Sequence, residues 1–430
     1  MTDYVAWIFR TLAVATWLGV PLYAAFVRGR FYAMFSLVIL SMSLPAALIL
    51  HFRLRALASP ETALLLDILF AYSMAASGLQ FTHLVHARMR GSIFRWLVSV
   101  PAQTFIAGGM LAGPWLLLLL PFRLAFGALD WQAMLTGWTL VESLPLLLAG
   151  FSILTSMTTR PETVRFRLSR QGPEKIQRVP VERFRGREPE PLLERPLRIV
   201  QITDTHLGPW KSVRQLREQI SKLVARNPDL VMLTGDFLTM ESMGSPGCLE
   251  EALEPLRPIA DRCAAIFGNH DHEAPDQVRD AMRAIGIPLL IDDEVCFETP
   301  VGPVQIVGAD YLNRGRTKHL KALLCRFPRR EGHLRLLLLH DPLAFHAVPQ
   351  DEVDLVLSGH THGGQIGLVS LGIDWTVLSR SRWPDQGLFA RGASRLYVHR
   401  GTGFYGFPLR VGVPAEFSVL EISHDTLDVG

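Results

Sequence analysis

Two histidines, separated by one residue and flanked by glycines, close a series of potential metal ligands. They are His360 and His362 in the sequence Gly-His-Thr-His-Gly-Gly, and they follow the strand-like run 353–357. Imidazole is the commonest metal ligand in proteins, and its pKa leaves it neutral and able to coordinate near pH 7. Alone, the pair could belong to an ordinary surface loop, so its meaning depends on the rest of the chain.

Four other short apolar runs also end in Asp, Asn or His. The runs 197–203, 229–234, 264–267 and 334–339 lead in turn to Asp204-Thr205-His206, Gly235-Asp236, Gly268-Asn269-His270-Asp271 and His340-Asp341. Runs of this length and composition predict buried strands. In open α/β sheets ligands bind at the carboxyl ends of the strands, so we expect these side chains to converge.

The residue types indicate the chemistry. Oxygen ligands from Asp and Asn, combined with nitrogen ligands from His, suit divalent ions such as Mn, Fe, Zn, Co or Ni better than Mg or Ca. Two such ions, about 3.5–4 Å apart and sharing a carboxylate, can clamp the attacking and leaving oxygens of a phosphoryl transfer. They also lower the pKa of bound water and so supply a hydroxide nucleophile. No protein nucleophile is then required.

The ordered motifs D-x-H, G-D, G-N-H-[DE], a lone H and G-H-x-H resemble those of the calcineurin-like metallophosphoesterase family, over residues 197–422. The resemblance implies a two-sheet sandwich flanked by helices, with a dimetal site at its rim. It also implies roles for eight residues: Asp204, His206 and His362 bind the first metal, Asn269, His340 and His360 bind the second, Asp236 bridges the two, and His270 is catalytic. In that role His270 stabilises the phosphoryl charge or protonates the leaving group.

One position departs from the family pattern. Many members carry a second Asp three residues after the bridging one, where it orients the catalytic His, but this chain has Thr239. We therefore expect His270 to be a weaker acid or to take its partner from elsewhere. Asp271 is a candidate partner, and the alternative is that it caps its own loop. His272 and His346 match no motif and are interpreted as surface or neighbouring histidines.

The C-terminal tail is rich in glycine. It resembles the ending of a membrane-attached bacterial branch of the family, whose members are described as phosphodiesterases. The similar segments are 397–403, Pro408-Leu409-Arg410 and Pro414-Ala415-Glu416. Arg400 or Arg410 could bind the substrate phosphate bidentately. Alternatively, residues 401–406 are only a turn-rich connection into a final strand at 417–422.

Strand-like runs alternate with amphipathic helices in residues 197–430, which predicts an α/β domain. Ser212 can cap one helix, and a second follows Pro275. The segment 158–196 is rich in Arg, Glu and Pro, with eleven basic residues against six Glu between residues 160 and 198. Two interpretations of this segment remain open: a linker that binds anionic lipid headgroups, or a solvated linker with an edge strand at 164–168.

The first third of the chain has a different composition. The protein is 49% hydrophobic and has a positive mean hydropathy, which is too apolar for a wholly soluble protein of this size. Residues 1–157 contain five apolar runs long enough to cross a bilayer, at 11–27, 31–50, 63–81, 97–120 and 134–157. The first could begin nearer Tyr4. Asp67 and Glu142 lie inside these runs. They could have a function, such as binding a proton or a lipid headgroup, or they could form hydrogen bonds between helices or lie near the interface.

These observations predict a multi-pass protein of the inner cell membrane without a cleavable signal. Arg28, Arg30, the basic loop 88–95 and the segment after Arg160 share one side of a five-span protein, so the positive-inside rule places the catalytic domain in the cytoplasm. The four cysteines have neither metal nor disulfide spacing. A net charge of +3 without a basic aromatic surface argues against a nucleic-acid partner.

The function predicted from the sequence is a membrane-anchored dimetal phosphoesterase. It would hydrolyse a phosphodiester or pyrophosphate by attack of a metal-bound hydroxide. The expected partners are a phosphate-ester substrate, which could be lipid-linked because the spans bring the site close to the bilayer, and membrane lipids. Two alternatives remain: a membrane signalling or transport protein whose phosphoesterase domain binds phosphate without turnover, and a nuclease.

Overall fold

The structure is a computed structural model that describes residues 2–157, 161–186, 189–403, 406 and 409–424. The chain divides near residue 154 into two compact units, the first helical and the second built of strands and helices. Residues 158–160, 187–188, 404–405 and 407–408, which include Arg160 and Pro408, lie outside the described residues, as does the end of the chain from residue 425.

The helical unit contains five helical stretches that are long and apolar enough to cross a membrane, by length and composition: Asp3–Val27, Arg30–Leu57, Pro60–Leu84, Ser92–Ala128 and Gln132–Ser156. Their helices are α1 (Thr2–Val27), α2 (Arg30–Leu57), α3 (Pro60–Leu84), α4 (Ser92–Phe94), α5 (Val100–Ala128), α6 (Gln132–Glu142) and α7 (Leu144–Met157), with a π-helical turn at Arg95–Ser99. The number agrees with the five predicted runs. The first stretch begins earlier than residue 11, and Ser143 interrupts the last.

Asp67 and Glu142, the two acidic residues inside the predicted apolar runs, are fully buried and ion-paired. The pairs join different helices, with oxygen–nitrogen distances between 2.7 and 3.1 Å: Asp67 with His51 and Arg55, and Glu142 with Arg53 and Arg123. A buried charge is costly unless it is paired, and removing one partner leaves the other uncompensated. Of the two interpretations offered by the sequence, the contacts fit the one in which these carboxylates join helices.

The second unit contains two sheets that share a core. Its strands in chain order are β1 (Glu162–Leu168), β2 (Gln177–Val179), β3 (Glu182–Arg185), β4 (Leu197–Ile202), β5 (Leu230–Leu233), β6 (Cys263–Ala265), β7 (Asp293–Thr299), β8 (Gly302–Gly308), β9 (Leu334–Leu338), β10 (Leu355–Ser358), β11 (Gly387–Arg391), β12 (Ser394–Val398) and β13 (Ser418–His424). One sheet has the order β3-β1-β13-β4-β5-β6, and the other has the order β2-β11-β12-β10-β9-β8-β7.

Apolar side chains from both sheets fill the space between them. Ile199 and Met232 of the first sheet belong to the same buried cluster as Leu336 and Leu355 of the second. Helices α8 (Val213–Val224), α9 (Cys248–Leu253), α10 (Pro275–Ile285) and α11 (Arg316–Arg326) separate the strands. Ser212 caps α8 as predicted, through a capping box with Gln215. The predicted α/β sandwich flanked by helices is confirmed.

The segment 158–196 is not a linker with one edge strand, because it supplies three strands to the two sheets. Strand β1 lies inside the first sheet, where it pairs parallel with β13 and antiparallel with β3. Its alternating residues Val164, Phe166 and Leu168 are buried in the core, while β3, from the same segment, covers its outer edge. The prediction of an edge strand at 164–168 was wrong. The partner β13 is so distant in sequence that it leaves no local signal.

Parallel pairing aligns the ends of the strands that carry the motifs. Strands β4, β5 and β6 are parallel neighbours in one sheet, and β9 and β10 are parallel neighbours in the other. Within each sheet, the polar residues that follow these strands therefore lie at the same end of the sheet. The two sets meet at the rim of the sandwich.

Candidate metal centre

The predicted ligands form two adjacent groups. Within each group the potential ligand atoms lie within 4.8 Å of one another: Asp204, His206 and His362 in the first, and Asp236, His340 and His360 in the second. They follow strands β4, β5, β9 and β10. The structure thus brings together residues separated by more than a hundred positions. The first group is the set that the family resemblance implies for the first metal, and the second group combines Asp236 with two of the three ligands implied for the second metal.

Asp236 lies between the two groups. Its Oδ2 is 3.1 Å from Nε2 of His340 in its own group and 3.8 Å from Nε2 of His206 in the other. Its Oδ1 accepts a hydrogen bond from the backbone N–H of His270 at 2.8 Å. One carboxylate therefore faces a potential ligand of each group, which is the position that a bridging ligand needs.

Asn269 is the ligand that the family resemblance adds to the second group. Its Oδ1 is buried and has no hydrogen-bond partner among the described residues, and Nε2 of His340 faces the carboxylate of Asp236 at 3.1 Å without the geometry of a hydrogen bond. Buried polar atoms in proteins normally have a partner. A divalent cation would satisfy both atoms, and the mixture of carboxylate, amide and imidazole donors suits Mn, Fe, Zn, Co or Ni. The residues present therefore fit a pair of metal ions.

The backbone is strained where it presents these ligands. Five of them have positive φ, in the left-handed region: Asp204 at 51°, His206 at 41°, Asp236 at 57°, His360 at 69° and His362 at 51°. For residues other than glycine this conformation costs about 1–3 kcal/mol each and persists mainly at functional sites. The motif glycines have a steric reason: a Cβ on Gly268 would collide with the carboxylate of Asp236, and one on Gly359 with that of Asp204.

Burial keeps most of the imidazoles neutral. It lowers the pKa of His206 to about 3 and that of His360 to about 4, and it lowers the pKa of His362 well below its ordinary value. Neutral imidazole is the form that coordinates a metal. His340 differs: burial lowers its pKa, but the carboxylate of Asp236 outweighs burial and raises it to about 10. That carboxylate thus favours positive charge beside it.

Contacts behind the ligands fix the orientation of the rings. Nδ1 of His340 lies 2.7 Å from the carbonyl oxygen of Thr234, and Nδ1 of His206 lies 3.3 Å from that of Leu238. When the Nδ1–H of a histidine donates to a backbone carbonyl, its Nε2 is left free to face the other potential metal ligands. His362 has the guanidinium of Arg410 behind it, with Nη2 at 3.3 Å from Nδ1.

His270 lies at the edge of the first group, with its ring centroid 5.7 Å from that of His206. Its Nδ1 is 2.7 Å from Oε1 of Glu273, and its side chain is 21% exposed. Burial lowers the pKa of His270, but the hydrogen bond to Glu273 and the charge of Asp236 outweigh it, and the pKa is raised overall. The sequence analysis missed Glu273, although its position three residues after His270 was an available signal.

The other candidate partners of His270 have structural roles. Thr239 donates its hydroxyl to the carbonyl of Leu207 at 2.6 Å. Asp271 is buried and accepts hydrogen bonds from three backbone N–H groups, those of Asp236, Phe237 and Gly268. Asp271 therefore caps its loop, which was the alternative interpretation. His272 contacts Asp310 at 3.0 Å near the surface, and His346 is exposed, as expected for residues outside the motifs.

The structure contradicts the hypothesis that Arg400 or Arg410 binds the substrate phosphate, because both side chains are buried. Arg400 forms ion pairs with Glu162 and Glu416. Arg410 donates to the carbonyl oxygens of Arg400 and Gly403, at 2.7 and 2.6 Å. The two arginines hold the tail against β1 and against the loop of His362. Sequence reasoning could not foresee this because Glu162 is far away in the chain.

Comparisons with known proteins agree with this geometry. Residues 197–364 match the family model described as calcineurin-like phosphoesterase. The chain is 28% identical to phosphodiesterase YaeI of Escherichia coli over 232 residues, which is 53% of this chain and 82% of that protein. It is 29% identical to the uncharacterized metallophosphoesterase YkuE of Bacillus subtilis, over 52% of this chain and 78% of that protein.

A vertebrate protein is also similar. The transmembrane protein with metallophosphoesterase domain of Danio rerio is 30% identical over 261 residues, which is 56% of this chain and 55% of that protein. Among solved structures, the NAD nucleotidase of Haemophilus influenzae matches with a TM-score of 0.36 and 15% identity, covering 49% of this chain and 45% of that one. Residues 197–364 are therefore similar to proteins of the calcineurin-like phosphoesterase family.

Proposed function

We propose that this protein hydrolyses a phosphodiester or a pyrophosphate in a metal-dependent reaction at the rim of its two sheets. The observation that carries the proposal is the pair of ligand groups with Asp236 between them. Two divalent ions held there would supply Lewis-acid stabilisation of the phosphoryl charge and would activate water. The name of the Escherichia coli relative, a phosphodiesterase, supports the phosphodiester as the first substrate class to test.

The chain's own residues would divide the remaining work. Asp204, Asp236 and Asn269, with the four histidines of the two groups, hold the ions. In hydrolysis the oxygen of water forms a bond to phosphorus, the ester P–O bond breaks, and the leaving oxygen takes a proton. His270 is placed to give that proton or to stabilise the phosphoryl oxygens, and Glu273 orients its ring.

The alternative in which the domain binds phosphate without turnover rested on Thr239. Glu273 supplies a carboxylate beside His270 that Thr239 lacks, and this contact supports turnover over that alternative. We further propose that the protein lies in the inner membrane with the catalytic domain in the cytoplasm, since the basic loops around Arg28 and Arg90 share one side of a five-span arrangement. A reporter fused after Gly430 should then report a cytoplasmic location, and a periplasmic signal would contradict this topology.

The test of the activity uses the full chain purified in detergent. Metal is removed with a chelator, and Mn, Fe, Zn, Co or Ni is returned singly before bis(p-nitrophenyl) phosphate is added. We expect metal-dependent release of p-nitrophenol and its loss in Asp236→Asn. Asp280→Asn, which changes an exposed carboxylate on α10, is the matched control. Activity that survives Asp236→Asn would overturn the proposal, and metal binding without turnover by the wild type would favour the binding alternative.

A further inference from the structure

Exposed apolar side chains in the α/β unit are concentrated in one loop. Of the seven large apolar residues that the described part of this unit leaves exposed, five lie within ten positions: Leu368, Leu371, Ile373, Trp375 and Val377. Leu371 is 73% exposed, and Ile373 and Val377 are each 50% exposed. Scattered apolar residues on a surface are ordinary, but a cluster of them indicates an interaction surface. We call residues 367–377 the apolar loop.

The apolar loop is anchored at both ends. The backbone N–H of Gly367 donates to the carbonyl of Val411 at 2.9 Å, and that of Ser370 donates to the carbonyl of Gly412 at 2.8 Å. At its other end the buried carboxylate of Asp385 accepts hydrogen bonds from the hydroxyl of Thr376, at 2.6 Å, and from that of Ser379. The side chain of Thr376 thus faces inward, whereas Leu371, Ile373 and Val377 face outward beside the exposed Ser370 and Asp374.

The apolar loop adjoins the metal centre. A Cβ on Gly364, two residues after His362, would lie 3.0 Å from the side chains of Val377 and Leu378. The hydroxyl of Thr361, beside the same ligand, donates to the carbonyl of Asp385 at 2.6 Å. Whatever covers the apolar loop is therefore held close to the site of hydrolysis.

The charge of residues 367–382 favours an anionic partner, because two arginines outweigh the single carboxylate, that of Asp374. Arg380 and Arg382 follow the apolar loop directly, both are exposed, and neither forms an ion pair within the described ranges. Leu, Ile and Trp side chains together with arginines are the combination that enters the interface of a bilayer containing anionic lipids. A bilayer is always within reach of a chain that carries five helices able to cross one.

We propose that the apolar loop inserts into the interface of a lipid bilayer, and that the metal centre acts on the phosphate ester of a membrane lipid. The assignment of a lipid substrate rests on the proposed hydrolysis, whereas the insertion of the loop is independent of it. The reaction is the same: water adds to phosphorus, the P–O bond to the leaving group breaks, and the leaving oxygen takes a proton. The loop would bring the lipid headgroup from the bilayer surface to the metal centre. A soluble substrate would not need this contact.

Insertion is tested by fluorescence on the full chain in nanodiscs of phosphatidylcholine and phosphatidylglycerol. In a background of Cys296→Ser and Cys325→Ser, an environment-sensitive label is attached to Leu371→Cys. The matched control is Glu331→Cys, an exposed residue just before β9, at the opposite end of that strand from His340. We expect nitroxide-bearing lipids to quench the label at 371 and not the label at 331. A label at 371 that stays in water, or one shielded from water but not quenched by these lipids, would overturn the insertion.

The substrate class is tested with two esters that share one reacting centre. One is p-nitrophenyl methyl phosphate in solution, and the other is p-nitrophenyl hexadecyl phosphate in the nanodisc. The double variant Leu371→Asp and Ile373→Asp should lower kcat/KM about tenfold for the hexadecyl ester and less than about twofold for the methyl ester. Leu193→Asp, which changes an exposed leucine outside the loop, should change neither.

The outcomes separate this inference from the proposed function. Equal effects of the double variant on both esters, or a wild type that does not prefer the hexadecyl ester, would overturn the lipid assignment. A wild type that hydrolyses neither ester with any metal would instead overturn the proposed hydrolysis, and with it the lipid substrate, while the quenching experiment would still decide whether the loop inserts.

Discussion

Replacing Glu273 with Gln tests the residue that the structure adds to the site. A hydrogen bond between charged groups, such as that from His270 Nδ1 to Glu273 Oε1 at 2.7 Å, is worth about 1.5–3 kcal/mol when buried. Here the Glu273 side chain is 50% exposed and that of His270 is 21% exposed. Water therefore screens the pair, which reduces its value to about 1 kcal/mol. If the bond serves to orient the ring, the loss in kcat is about fivefold.

The assay compares kcat for a phosphodiester with a poor leaving group in three variants. His270→Ala should lower kcat about 10²–10⁴-fold if His270 is a general acid. Glu273→Gln should lower kcat much less than His270→Ala does, with KM and metal content unchanged. Glu273→Asp should recover part of the lost kcat. Glu218→Gln, which breaks an exposed 2.8 Å ion pair on α8, is the matched control. An unchanged kcat in Glu273→Gln would refute the orienting role, as would a loss equal to that of His270→Ala.

Three other predictions concern the metal ligands, the membrane helices and the thiols. Asp236→Ala should lose both metal ions, because it removes a carboxylate shared by both groups; elemental analysis should find two ions per chain in the wild type, and two ions retained by the variant would contradict the assignment. Glu142→Leu should lower the unfolding temperature in detergent, because it leaves Arg53 and Arg123 without their buried partner, a change that typically costs about 3–5 kcal/mol; an unchanged transition would show that the ion pairs contribute nothing. In the native protein at pH 7, a maleimide should label the exposed Cys296 and Cys325 but not Cys248 and Cys263, because burial raises the pKa of these two thiols to about 11 and about 12. Intact mass spectrometry should then count two labels before denaturation and four after it.

The residues of the two candidate metal-binding groups were predictable because their signal is local. Each stands directly after a short apolar run, and parallel strands carry such residues to the same rim. The family resemblance added the division into two sets, which spacing alone does not specify. The five apolar stretches were equally visible, since length and hydropathy suffice to identify them.

What the sequence could not reveal depends on distant partners. Strand β1 looked like part of a linker because its neighbour β13 lies more than two hundred residues away. Arg400 looked available to substrate because its partner Glu162 belongs to that same strand. The contact of Glu273 with His270 depends on the tight turn at Asp271–Glu273, which changes the direction of the chain just after the motif.

The pairing of β1 with β13 has a consequence for biosynthesis. Arg165 and Glu421, opposite each other in these strands, are 256 residues apart, and translation at about 5–20 residues per second separates them by about 13–50 s. During that interval the apolar face of β1 has no completed sheet to cover it, although the helices that precede it are already synthesised. Strand β13, the last of the described strands in chain order, therefore completes the first sheet. Stalled or truncated chains should expose that face to chaperones and proteases.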